Sequence, residues 1–159
     1  MRTPAILTLL LTALIVAAVP ACAQMKGSAD VVKVKPAPAA VVAAADGPVT
    51  FAVKLDIERK WHLYAHGDTT FIGVDLLPDE GFPLEDFSAV YPKGHEGEFF
   101  GEKVFMLEGK NEIEVSARVP ADLTTGTHTL DLKLTVQACD DKTCLAPAYI
   151  PVQVKLTVE

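Results

Sequence analysis

Positive charge is in short supply here: 14 lysines and arginines stand against 21 aspartates and glutamates, a net charge of −7. A surface of that sign repels phosphate backbones and anionic headgroups, which argues against nucleic acid or a bare membrane surface as partner. Beyond the N-terminus the chain has no apolar run near the roughly 20 residues that a membrane-spanning helix needs. It also lacks internal repeats and, after the first two dozen residues, any amphipathic helical periodicity. Cysteine is scarce, with Cys22, Cys139 and Cys144 the only three. No pair of cysteines or histidines has the spacing of a common zinc module.

What the N-terminus does contain is an export signal over residues 1–23. Arg2 is the charged n-region, Ala5 to Val19 the apolar h-region, and Pro20 breaks the helix before a small-residue site. Ala21-Cys22-Ala23 fits the A-x-A rule, which makes Gln24 the first mature residue. Val19-Pro20-Ala21-Cys22 resembles a lipobox, which would leave Cys22 lipidated; a proline two before the cysteine disfavours it. The expected product is an exported protein in the periplasm or cell envelope, soluble rather than lipid-anchored. Disulfides persist in such a compartment. With Cys22 removed or blocked, an even pair of cysteines remains.

Residues 24–47, rich in Ala, Val, Pro, Lys and Asp, read as a flexible tether with edge-strand character at Val31 to Val34. The domain is expected over residues 48–159. Val49, Phe51, Val53, Leu55 and Ile57 alternate with mostly polar residues, as do Ile113, Val115, Ala117 and Val119. The longest alternations are Leu130 to Ala138 and Ile150 to Val158. Trp61 to Tyr64, Gly73 to Leu77, Phe87 to Tyr91 and Val104 to Leu107 add shorter strands, and Lys93 to Gly101 reads as irregular. About seven to nine strands at roughly 8–12-residue spacing indicate an all-β, immunoglobulin-like antiparallel sandwich.

The stretch Thr135 to Pro147, T-V-Q-A-C-D-D-K-T-C-L-A-P, places Cys139 and Cys144 at the turn end of a hairpin. Four readings stay open on the residues alone. A purely structural disulfide is the plainest, in an immunoglobulin-like binding or assembly module. Closing so short a loop removes little unfolded-state entropy, roughly 2 kcal/mol against about 4.7 for a 100-residue loop. A redox-active disulfide needs an accessible sulfur and a resolving thiol, and a hairpin end supplies both. The site is not of the thioredoxin type, because the spacing is C-x₄-C and no helix follows to lower a thiol pKa. Asp140 and Asp141 disfavour a thiolate, so the pair suits a passive relay. Metal binding by Cys139, Cys144, His62, His66 and His95, and Cys–His hydrolysis, lack supporting spacing or signature.

The run V-Q-A-C-D-D-K-T-C-L-A-P, with K-W-H-L-Y upstream and H-E-G-E-F-F-G between, resembles the N-terminal periplasmic domain of the bacterial thiol:disulfide interchange protein DsbD. The likeness covers about Val49 to Val158. It implies an immunoglobulin-like sandwich that passes reducing equivalents through Cys139 and Cys144, with Cys144 forming mixed disulfides and no cofactor. It also implies a cap, with Phe99 over the disulfide and Glu98 and Phe100 beside it, opened by flexing at Gly97 and Gly101. His62 and Tyr64 would line the site from one strand face. Phe99 and Trp61 have a plain alternative as core residues, and His62, His66, His95 and His128 as surface histidines. The implied partners are thioredoxin-like and membrane thiol carriers in trans and periplasmic disulfide proteins, a setting shared with cytochrome c biogenesis. Two departures stand out: the cysteine loop is one residue shorter than the C-x₅-C of familiar members, and the chain stops at Glu159. From that ending a donor supplied in trans is expected.

Overall fold

The computed structural model describes residues 26–159; the expected export signal and Cys22 lie outside them. Twelve strands and one short 3₁₀ turn, Ser28–Asp30, make up the regular structure of this part. The first sheet has the order β1 (Val32–Ala37), β3 (Pro48–Ile57), β9 (Lys110–Arg118), β6 (Glu85–Val90). The second runs β2 (Ala40–Ala43), β12 (Ala148–Val158), β10 (Gly126–Val136), β5 (Asp75–Pro78). All neighbours are antiparallel except β2 and β12.

Period two explains the packing of these sheets. Val49, Phe51, Val53, Leu55 and Ile57 of β3 bury one face, as do Ile113, Val115 and Ala117 of β9. From the second sheet, Leu130, Leu132, Leu134 and Val136 of β10 and Val152, Val154, Leu156 and Val158 of the neighbouring β12 supply the facing apolar layer. Each contributes about 25 cal/mol per Å² of apolar area removed from water. A one-residue slip of the Leu132↔Val152 register would turn a whole row toward solvent, so the register is tightly specified. The fold is the expected all-β sandwich.

Two local expectations need correction. The edge strand expected at Val31 to Val34 is present as β1, but it runs on to Ala37 and β2 follows, so most of residues 32–43 is ordered strand, with Val31 and Val32 buried. Proline-rich composition disguises them, but Pro36 sits on an edge strand, where no second neighbour needs its missing N–H. Lys93 to Gly101 is not irregular: it contains β7 (His95–Phe99), paired with β8 (Glu102–Leu107). Trp61 packs against the main core, partly buried, in line with its core reading.

A third, smaller sheet carries the cysteines. Its order is β11 (Ala138–Cys139), β4 (His62–Tyr64), β8, β7. The long hairpin pairs as far as Val136↔Ala148, and the intervening residues fold back instead of closing a tight turn. Ala138 then pairs with Leu63, and Cys139 with His62. The cysteine loop thereby docks on a separate layer at the end of the sandwich.

Candidate functional site

Cys139 and Cys144 are joined by a disulfide, with Cα atoms 4.0 Å apart. The loop between them is closed by backbone hydrogen bonds as well: the Asp140 N–H donates to Thr143 O (2.9 Å) and the Leu145 N–H to Ala138 O (2.8 Å). The Asp140 carboxylate accepts from the N–H groups of Lys142 (2.9 Å) and Thr143 (2.8 Å), an Asx turn in place of a glycine-based one. Those two donors hold the Asp140 pKa below its ordinary value.

The two sulfurs occupy unequal positions. Cys139 is fully buried, whereas Cys144 is only partly buried. Cys139 belongs to an apolar cluster distinct from the main core, with Tyr64, Phe99 and Val104 buried and Phe71, Met106 and Cys144 packed against them. The Phe99 ring lies 5.6 Å from His62, 5.9 Å from Tyr64 and 5.3 Å from Phe71, measured between centroids. Tyr64 stacks on Phe71 at 4.4 Å. Edge-to-face and offset pairs of this kind add about 0.5–1.5 kcal/mol each beyond the area they bury.

His62 faces the disulfide from across the strand pair, because its register partner is Cys139. It is buried, with Nε2 3.5 Å from the Tyr64 hydroxyl and its ring edge-on to Tyr64. Burial pulls the His62 pKa below 6.5, and Glu108, Asp141 and Asp140 pull it part of the way back. Burial, with Asp68 second, pushes Tyr64 up to about 12. Both rings are therefore neutral at pH 7.

The hairpin β7–β8 brings Phe99 to this place. Its two loop residues, Phe100 and Gly101, both have positive φ (52° and 84°), the pattern of a type I′ turn between the paired residues Phe99 and Glu102. Turn geometry thus requires a permissive residue at Gly101. At Gly97 a Cβ would meet only the Met106 side chain, whose flexible methyl end can move aside.

Of the residues singled out in the sequence, Cys139, Cys144, Phe99, His62 and Tyr64 come together. Phe100 is 74% exposed, its ring 4.4 Å from that of Phe99. Glu98 is solvent-facing, turned by strand alternation to the side opposite Phe99. His66 lies elsewhere, stacked on Tyr91 at 3.8 Å, while His95 stands 3.9 Å from Glu108 and His128 contacts the Thr124 carbonyl. Phe71, Val104, Met106 and Ser28 were not anticipated. Met106 and Val104 follow from strand alternation once β8 is known; Phe71 lies in a loop and Ser28 in the supposed tether, where nothing local marks them. Among the described residues, no group of three or more His, Cys, Asp or Glu is placed to hold a metal ion.

The sequence matches the family described as thiol:disulfide interchange protein DsbD, N-terminal, over residues 28–155. This chain belongs to that family. No curated protein matches the sequence. Among solved structures, the N-terminal periplasmic domain of ScsB from Proteus mirabilis is similar with a TM-score of 0.58 at 11% identity. That match covers 80% of this chain and 47% of the ScsB chain, so the present chain spans about half of it and the likeness is one of fold. The Neisseria meningitidis DsbD N-terminal domain in the reduced form is 17% identical, with a TM-score of 0.49 over 72% of this chain and 82% of that one. Membership in the DsbD N-terminal family places this chain among thiol:disulfide interchange domains. No helix among the described residues is long and apolar enough to cross a membrane.

Proposed function

We propose that this DsbD N-terminal-type domain is an exported thiol–disulfide relay working through Cys139 and Cys144. The observation that supports the reading is the asymmetry of the pair: Cys144 is only partly buried, and Cys139 is fully buried in the cluster that holds Phe99, outside the main core. Exchange needs one reachable sulfur and one protected partner, and a stability bond tying two sheets would need neither. A thiolate of a thioredoxin-like or membrane-carrier donor attacks Cys144 Sγ. The Cys139–Cys144 bond breaks, and Cys139 Sγ leaves with the electron pair and takes up a proton. The donor's second thiol then attacks its own sulfur in the mixed disulfide and releases Cys144 as a thiol. The donor ends oxidised and the pair reduced by two electrons; the reverse sequence reduces an exported acceptor.

In this reading Phe99 is the cap, shielding the bond from stray thiols, and Phe100 and Glu98 form its outer rim. His62 and Tyr64 form the neutral wall on Cys139. Residues 1–23 act as the export signal, with lipidation at Cys22 the lesser alternative, and the domain works in the periplasm. Equilibration with thioredoxin-like dithiols tests the reading. A reduction potential above about −300 mV together with exchange is expected; a potential well below it with no exchange is the behaviour of an inert structural bond and refutes the relay.

A further inference from the structure

Ser28 is fully buried, although it lies in the segment whose composition reads as a tether. Its hydroxyl donates to the Ala146 carbonyl (2.6 Å) and accepts from the Ala138 N–H (2.9 Å). Its own N–H also donates to Ala146 O (3.2 Å). Ala138 directly precedes Cys139, and Ala146 lies two residues beyond Cys144. One side chain, 110 residues away in sequence, therefore bridges the outgoing and returning arms of the cysteine loop. The bridge is itself held in place. The Asp30 carboxylate accepts from the Gly27 N–H (2.7 Å), and the Val31 N–H closes the 3₁₀ turn onto Ser28 O (3.2 Å). Val31 is buried, and its carbonyl accepts from the Glu58 N–H (2.8 Å).

We propose that Ser28 is a positioning residue for the cysteine pair, clasping both arms of the loop whether or not the sulfurs are bonded. With the disulfide opened, the Ser28 bridge and the Leu145–Ala138 hydrogen bond still hold the arms together. Cys139 then stays in line to attack Cys144 Sγ in a mixed disulfide and expel the partner as a thiolate. A high effective concentration of one thiol toward the other follows from that restraint. Removing the hydroxyl leaves the buried Ala138 N–H without its acceptor and loosens the tie between the arms, which then rests on the Leu145–Ala138 bond and on the Ser28 N–H bonded to Ala146 O.

The consequence for exchange rests on the relay reading, but the clamp is tested by a quantity that any cysteine pair possesses. The disulfide of the full chain is equilibrated with oxidised and reduced dithiothreitol, and the fraction bonded is measured for wild type and Ser28→Ala. The equilibrium constant for the bonded form should fall by a few-fold up to about tenfold, the effect of one lost bridge. Ile113→Val, a trim in the remote core of β9, serves as the stability control and should leave the constant unchanged. An unaltered constant in Ser28→Ala, or an equal fall in Ile113→Val, overturns the clamp. Amide hydrogen exchange on the reduced wild-type protein tests it without any substitution: Ala138 should stay protected after reduction, and loss of that protection overturns the clamp. Failure of the relay reads out separately, as absence of exchange with thioredoxin-like proteins while the dithiothreitol equilibrium still reports on Ser28.

Discussion

At the scale of single residues, Phe99 combines two properties that the sequence presents as alternatives. It is buried, and it is buried in the small cluster that holds Cys139 instead of between the two main sheets. Phe99→Ala should therefore lower stability by about 3 kcal/mol, the lower end of the range for a truncated Phe, because the cluster is small. It should also speed reduction of the disulfide by small thiols. Urea unfolding and the rate with dithiothreitol check the two parts; an unchanged rate would remove the cap from the mechanism. His62 supplies a pH prediction. Its pKa is lowered in the folded state, so the unfolded chain takes up the proton first as pH falls. Stability is then fully present above pH 6.5 and is lost progressively below it, toward the depressed folded pKa. The melting temperature should drop between pH 7 and pH 5, and the drop should shrink in His62→Gln.

At the scale of elements, the β7–β8 hairpin is short and depends on its turn. Phe100 adopts a left-handed conformation at φ 52°, which a bulky L-residue does not favour. Asparagine suits that position of a type I′ turn much better. Phe100→Asn should stabilise the hairpin by about 0.5–1 kcal/mol, whereas Gly101→Ala, at φ 84°, should destabilise it by about 1 kcal/mol. Thermal unfolding with amide exchange along β7 and β8 measures both. A native residue that strains its turn while exposing an aromatic ring fits the proposed rim of the site, where docking rather than stability would retain it.

At the scale of the molecule, the N-terminal segment is part of both main sheets. β1 closes one edge of the first sheet against β3, and β2 lies parallel to β12 in the second. Val31 and Val32 together bury side chains worth about 3–5 kcal/mol. A chain beginning at residue 45 should lose at least that much stability in urea unfolding, and its cysteine loop should lose the Ser28 bridge with it. Retention of full stability would show that β1 and β2 are dispensable additions. The acidic surface, net −7, remains a property of the whole molecule and favours partners that do not present anionic faces.

Alternation of period two was legible from composition and order alone, and it determined the sandwich, the long β10–β12 hairpin and the position of the cysteines at its end. The motifs K-W-H-L-Y, H-E-G-E-F-F-G and the cysteine run also sufficed to mark the DsbD likeness and to group five of the residues that meet at the site. Tertiary structure alone decided which cysteine is buried, because burial of Cys139 depends on β11 folding back beside β4 and on the β7–β8 hairpin bringing Phe99 into the same cluster. It alone decided that Ser28 belongs with the cysteines. A serine hydroxyl has no periodicity and no local signature, and its role arises only when a distant loop offers it one buried donor and one buried acceptor.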